Sequence, residues 1–167
     1  MRKKVLSILV DNTPGVLSRV AGLFSRRGYN IDSLTVGETE NNEFSRMTVV
    51  VRGDDNILDQ IEKQVAKLED VRYVKELKDT HSVCRELVLI TVGVSAKDRP
   101  AVVAVADIFR AKIVDVGIDT MMIELTGNQN KLNAFIKLLD GYEIKELVRT
   151  GITGLSRGDD TMLEDMD

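Results

Sequence analysis

What most constrains the fold of this chain is a series of elements that runs through it twice. Apolar runs of strand type and amphipathic helical stripes follow in the order β-α-β-β-α-β over residues 4–77, and the order returns over residues 85–149. In the first round, residues 4–10 read as a strand, broken by Asp-Asn-Thr-Pro-Gly. Val16, Leu17, Val20, Leu23 and Phe24 then share one helical face, with Ser18, Arg19, Ser25 and Arg26 opposite. Thr13 suits the N-cap of that helix, Pro14 its first position and Gly28 its C-terminal cap. Residues 31–37 read as a strand, "ENNEFS" as a loop, and residues 46–52 as an antiparallel strand in which Met47, Val49 and Val51 alternate with Thr48 and Val50. A helix over 56–68 carries Ile57, Leu58, Ile61, Val65 and Leu68 on one stripe, and a strand over 71–77 ends the round.

The second round repeats the pattern, not the residues. A strand over 85–94 leads to a helix opened by Asp98 and Pro100, with Val102, Val105, Ala106 and Phe109 on one face. Strands follow at 112–116 and 121–125, then a helix marked by Leu132, Phe135, Ile136 and Leu139 that stops at Gly141, then a strand over 143–149. The expected class is α+β: two ferredoxin-like βαββαβ domains, each an antiparallel sheet with two helices on one face. The spacing divides the chain into a domain over 1–77, a polar linker "KDTHSV" at 78–83, a domain over 84–150 and a tail over 151–167. That tail, "GITGLSRGDDTMLEDMD", is glycine-rich, then acidic, with no periodicity; it reads as frayed or as a partner contact.

Composition removes several classes of function. The 167 residues are 43% hydrophobic and 30% charged, as in ordinary globular proteins, and no apolar run approaches the ~20 residues of a membrane span. "MRKKVLSILVDN" is basic, but its apolar run is short and meets Asp11, which argues against a signal peptide; a cytoplasmic protein without membrane contact is expected. A net charge of -4 and 4% aromatic residues, with no Trp, speak against a nucleic-acid partner. The middle strands "RMTVVVR" and "TMMIEL" lack the stacking rings of an RNA-recognition module. A single Cys84 and a single His81 cannot supply an internal disulfide or a Cys/His zinc site, so no metal is expected. Cys84 opens an apolar run and reads as a buried core residue, while His81 lies in the polar break and reads as exposed. No Gly-x-Gly-x-x-Gly or Walker-type loop is present, and Asp54–Asp55 read as a helix cap, so no catalytic residue is assigned.

The two rounds differ at the start of their first helix. Asn-Thr-Pro-Gly precedes one and Lys-Asp-Arg-Pro-Ala the other, so Gly15 leaves the backbone approachable where Ala101 does not. A helix start with the N–H groups of Gly15 and Val16 open attracts a carboxylate or phosphate. Asn12 offers a donor and an acceptor beside it, and Asn30 does the same if another chain's helix end comes close. An amino acid fits such a place, with Val16, Leu17 and Ile31 lining an apolar pocket. The same residues also read simply as a helix start and a turn, and spacing alone leaves both open.

The blocks "DNTPGVLSRVAGLFSRRGYNIDSLTVG", "SRMTVVV", "QIEKQVAKLEDV" and "TGITGLSRGD" together resemble the regulatory (small) subunit family of acetohydroxyacid synthase, also called acetolactate synthase. The resemblance runs from Lys3 to about Asp159; "NTPGVL" alone resembles only ACT domains, which are amino-acid-sensing ferredoxin-like modules. It implies an N-terminal ACT domain that forms a homodimer edge to edge, with effector sites at the interface, and a C-terminal domain of similar build. It implies a catalytic large subunit as partner, carrying thiamine diphosphate, FAD and magnesium, with no cofactor in this chain. It further implies activation of that partner and feedback inhibition by valine or another branched-chain amino acid. By the same resemblance the effector is held by Asn12, Gly15 and Asn30, with Thr13, Pro14, Val16, Leu17 and Ile31 as neighbours. Alternatives are a stand-alone ACT amino-acid sensor and an acylphosphatase-like small enzyme recruiting Arg19 and Asn30. For the latter, a phosphate-cradling loop is not evident.

Overall fold

The structure, a computed structural model, describes residues 2–158. The described chain forms two compact units, one of residues 2–84 with 152–158, the other Arg85–Gly151. The first contains β1 (Arg2–Asp11), α1 (Val16–Arg27), β2 (Asn30–Glu38), β3 (Phe44–Gly53), α2 (Asp55–Ala66) and β4 (Val71–Glu76). Its sheet has the order β2-β3-β1-β4, antiparallel throughout. β1 and β3 pair without interruption from Arg2↔Gly53 to Asp11↔Phe44. Alternation along the strands sends Leu6, Ile8 and Val10, with Met47, Val49 and Val51, toward the helices. There they meet Val16, Val20, Leu23 and Phe24 of α1 and Leu58, Ile61 and Val65 of α2. The sheet's other face is also closed: Ser7, Leu9, Thr48 and Val50 are buried, and Thr35 Oγ1 donates to Ile152 O on that side.

β5 (Ser82–Gly93) crosses the boundary between the units, followed by α3 (Arg99–Ile108), β6 (Lys112–Val116), β7 (Thr120–Gly127), α4 (Gln129–Leu138) and β8 (Glu143–Arg149). The order β6-β7-β5-β8 repeats that of the first sheet. Val88, Ile90 and Val92, with Met121, Ile123 and Leu125, pack on Val102 and Ala106 of α3 and on Leu132 and Phe135 of α4. An edge-to-face aromatic pair sits in each unit, Phe24–Tyr29 at 5.8 Å and Phe109–Phe135 at 5.3 Å. Both rounds of the sequence pattern thus become a ferredoxin-like unit of βαββαβ order.

Several boundaries differ from the sequence reading. α1 begins at Val16, not at Pro14, because Gly15 takes the N-cap position with φ 85°. That left-handed conformation ends the Thr13–Pro14 turn and favours glycine, which has no Cβ to strain it. Gly28 does cap the C-terminus, with φ 66°, and Asp54 caps α2 by accepting from Ile57 N at 2.9 Å. Cys84 is half-buried instead of enclosed. The polar break is shorter than expected, since Ser82 already belongs to β5. The stretch expected as a tail also contains structure: β9 (Thr153–Ser156) pairs with β5. A Cβ on Gly154 would lie 2.7 Å from Cys84 Sγ and 2.8 Å from Val83 O, so a glycine permits this close approach. Four residues packed on a bare glycine leave no apolar alternation to read in the sequence. The acidic end, residues 159–167, lies outside the described residues.

Candidate effector-binding turn

β1 delivers the chain to the turn at Asp11. Asn12 then ties the turn to the β2–β3 connection: its N–H donates to Glu43 O at 2.8 Å and its Nδ2 to Asn42 O at 2.9 Å. Val16 N–H closes a turn onto Thr13 O at 3.4 Å, so it is not open as the sequence suggested. The first helical bond runs from Arg19 N to Gly15 O at 3.0 Å. No side chain caps α1, and its first turn has no acidic residue. The helix therefore presents the N–H groups of Leu17 and Ser18, and its positive dipole end, without a carboxylate of its own. Asn12, Thr13, Pro14, Gly15 and Leu17 are exposed. Val16 is 4% exposed and its side chain is committed to the core, so only its backbone belongs to this surface.

Beside the turn stands an ion pair that spacing in the sequence does not reveal. Arg19 grips Asp70 with Nε–Oδ2 at 2.5 Å and Nη2–Oδ1 at 3.1 Å, and Nη2 also approaches Pro14 O at 3.5 Å. Its Nη1 lies only 2.8 Å from where a Cβ on Gly15 would sit. The hydrogen bond from Arg19 holds the Asp70 carboxyl below the usual aspartate range, and the same bond raises the guanidinium. A second pair, Arg72 with Asp11, adjoins it at 2.7 and 2.8 Å, and Asp11 N donates to Asp70 O. In the sequence Arg19 reads as a residue of the polar helix face, drawn toward a ligand only in the acylphosphatase-like alternative, and Asp70 is 51 positions away. The pairing of β4 with β1 brings them together.

Asn30 and Ile31 lie elsewhere. Asn30 is the exposed first residue of β2, opposite Arg52, which in turn faces Lys3. Ile31 faces Val51 and packs partly buried against the core. Lys3 is eight residues along β1 from Asp11, and at roughly 3.3 Å per residue that is about 26 Å. The two predicted halves of the site are thus at opposite ends of one sheet.

His81 is exposed, with Nδ1 2.7 Å from Thr80 Oγ1. Among the described residues no group of three or more His, Cys, Asp or Glu could hold a metal ion, and no helix is long and apolar enough to cross a membrane.

Residues 85–158 match the family model described as the small subunit of acetolactate synthase, and residues 6–73 match that of the AHAS small subunit-like ACT domain. A probable acetolactate synthase small subunit of Archaeoglobus fulgidus is 51% identical over 156 residues, covering 93% of this chain and 98% of that protein. Its counterpart in Methanothermobacter thermautotrophicus is 48% identical over 159 residues, with 95% of each chain covered. The crystal structure of the acetolactate synthase small subunit from Thermotoga maritima superimposes with a TM-score of 0.88 at 42% identity, covering 95% of this chain and 99% of that one.

Proposed function

The chain belongs to the family of acetolactate synthase small subunits, and from that premise we propose that its Gly15 turn is one half of a two-chain receptor for a branched-chain amino acid. As a small subunit it is a regulatory chain, and its partner is the catalytic large subunit of that enzyme. In the proposed reading it raises the partner's activity and confers feedback inhibition by valine or a related amino acid. Thiamine diphosphate, FAD and magnesium are assigned to the partner and none to this chain.

The observation that carries the reading is the separation of Asn30 from the Gly15 turn. One protomer cannot close both around a ligand as small as valine. β2 is an edge strand, and a second copy can pair with it antiparallel. Centred on Leu34, such pairing sets Asn30 of one copy level with Glu38 of the other. Glu38 faces Ser45, and Ser45 faces Val10, next to the turn. Two equivalent sites then form about a two-fold axis. The carboxylate meets the helix start, the ammonium meets an asparagine or backbone oxygen, and Leu17 and Ile31 offer apolar surface. Binding alters activity only through preference for one arrangement of the dimer; a coupling of about 1–3 kcal/mol gives roughly 5–150-fold modulation.

Reconstitution with the catalytic subunit tests this. Gly15→Asp introduces a side chain at a left-handed position and a charge facing the ligand carboxylate. The variant is expected to activate and to lose the valine response; one that activates and responds fully refutes the site. Asn30→Ala is expected to weaken valine about tenfold in isothermal titration with activation kept, as for one lost hydrogen bond. Unchanged affinity removes Asn30.

A further inference from the structure

An arginine in the first turns of a helix is electrostatically misplaced, because the helix start is already positive. Arg19 nevertheless folds back toward that start, over Gly15, where Nη1 stands 2.8 Å from the position of a Cβ. Asp70 explains how it is held. The carboxylate takes Nε and Nη2 in a two-point grip, Nη2 also reaches Pro14 O, and Nη1 donates to none of the described residues. A guanidinium carries five donors in a rigid fork, so a partner on one edge aims the other. Here the aimed edge faces an exposed glycine, beside a helix start with no capping side chain.

We infer that Arg19, oriented by Asp70, recognises the carboxylate of the effector at the Gly15 turn, so that the site selects carboxylate anions over the corresponding amides. This rests on the receptor proposed above and names the chemical class it takes. The carboxylate receives Nη1–H from Arg19 together with the helix N–H groups, a charge-assisted contact in a place with no competing acid on α1. Asp70 is the positioning residue: it stays on the far edge of the fork and does not touch the ligand.

The experiment compares L-valine with L-valinamide, which keeps the side chain and amine and lacks the anion, by isothermal titration at pH 7 into the full-length chain. Wild type is expected to prefer valine by tenfold or more. Arg19→Met, which keeps the apolar stem, is expected to lose most of that ratio by weakening valine and leaving valinamide nearly unchanged. Arg19→Lys, which keeps the charge but not the fork, is expected to fall between, and it decides the matter if the methionine variant does not fold. A purely structural role for Arg19 would weaken both ligands alike, so an unchanged ratio in either variant overturns the inference. If Asn30→Ala and Gly15→Asp weaken valine while Arg19→Met leaves the ratio intact, the receptor stands and Arg19 is removed from it. If wild type binds none of valine, leucine and isoleucine, both fall; if it binds leucine or isoleucine instead, the comparison is made with that amino acid and its amide.

Discussion

Before α1 the chain turns through a left-handed glycine, and an arginine lies over that turn with one edge of its fork unused. Before α3 the chain makes the corresponding turn with Asp98 in right-handed conformation, Ser95 Oγ donating to Asp98 Oδ2 at 3.3 Å and Ser95 O accepting from two N–H groups. There too an arginine stands near the helix start, but Arg99 points into its own unit. Its Nη2 donates to Gly117 O at 2.7 Å and to Ile118 O, locking the β6–β7 connection. The same fold therefore carries one turn that presents donors outward and one that spends them on its own backbone. Duplication of a pattern preserves the core, because the core answers to periodicity; it does not preserve the turns, which answer to single residues such as Gly15 and Ala101.

The largest effects should come from the cores, where the two units are alike. Phe24 and Phe135 are 2% and 0% exposed. Truncation of either to alanine is expected to cost about 3–5 kcal/mol. Hydrogen exchange should show the loss in the unit that contains the substitution, and equal loss of protection in both units would mean that the cores are not independent. An intermediate effect is expected at Arg99. Arg99→Met should cost the second unit about 1–3 kcal/mol in chemical denaturation, since it removes charged hydrogen bonds to two carbonyls. It should leave valine binding unchanged. If it weakens valine as Arg19→Met does, the contrast between the turns is lost.

The smallest effect concerns acid. Asp70 is held below the ordinary range by its hydrogen bond from Arg19, and Asp32 by its hydrogen bond from Arg52, with Lys3 adding attraction. A carboxylate whose folded pKa is lowered contributes stability that is complete above the unfolded value, about 3.9, and is lost as pH falls through the lowered one. Both residues belong to the first unit. Melting temperatures of that unit's probes should therefore drop as pH falls below about 4, and Asp70→Asn or Asp32→Asn should flatten the drop. A slope unaltered by either substitution would show that these pairs are without weight in solution, as many surface pairs are.

Much of the fold was legible in the residues. Every helix and strand of the two βαββαβ rounds is present, because apolar spacing of two or near 3.6 follows directly from which face is buried. Gly28 and Asp54 were readable as caps since their partners are three or four residues away. The start of α1 was less legible: Thr13–Pro14 has the chemistry of a helix start, and only the observed φ of Gly15 moves the cap by two residues. Val16 reads both as a pocket residue and as part of the helical stripe that faces the core, and the structure gives its side chain to the core. β9 carried no signal, because Gly154 pairs through backbone and through the absence of a side chain.

The sequence by itself determined the order of elements, the two cores and the glycine turn before α1 that sets the two units apart. These are local properties, set by residues within a turn or two of one another. Tertiary structure alone decided that Arg19 faces Asp70 across 51 residues, that a strand after Gly151 returns to β5, and that Asn30 stands about 26 Å from the turn. Each of these depends on strand order and register, which arise when sheets and helices pack and which no spacing along the chain encodes.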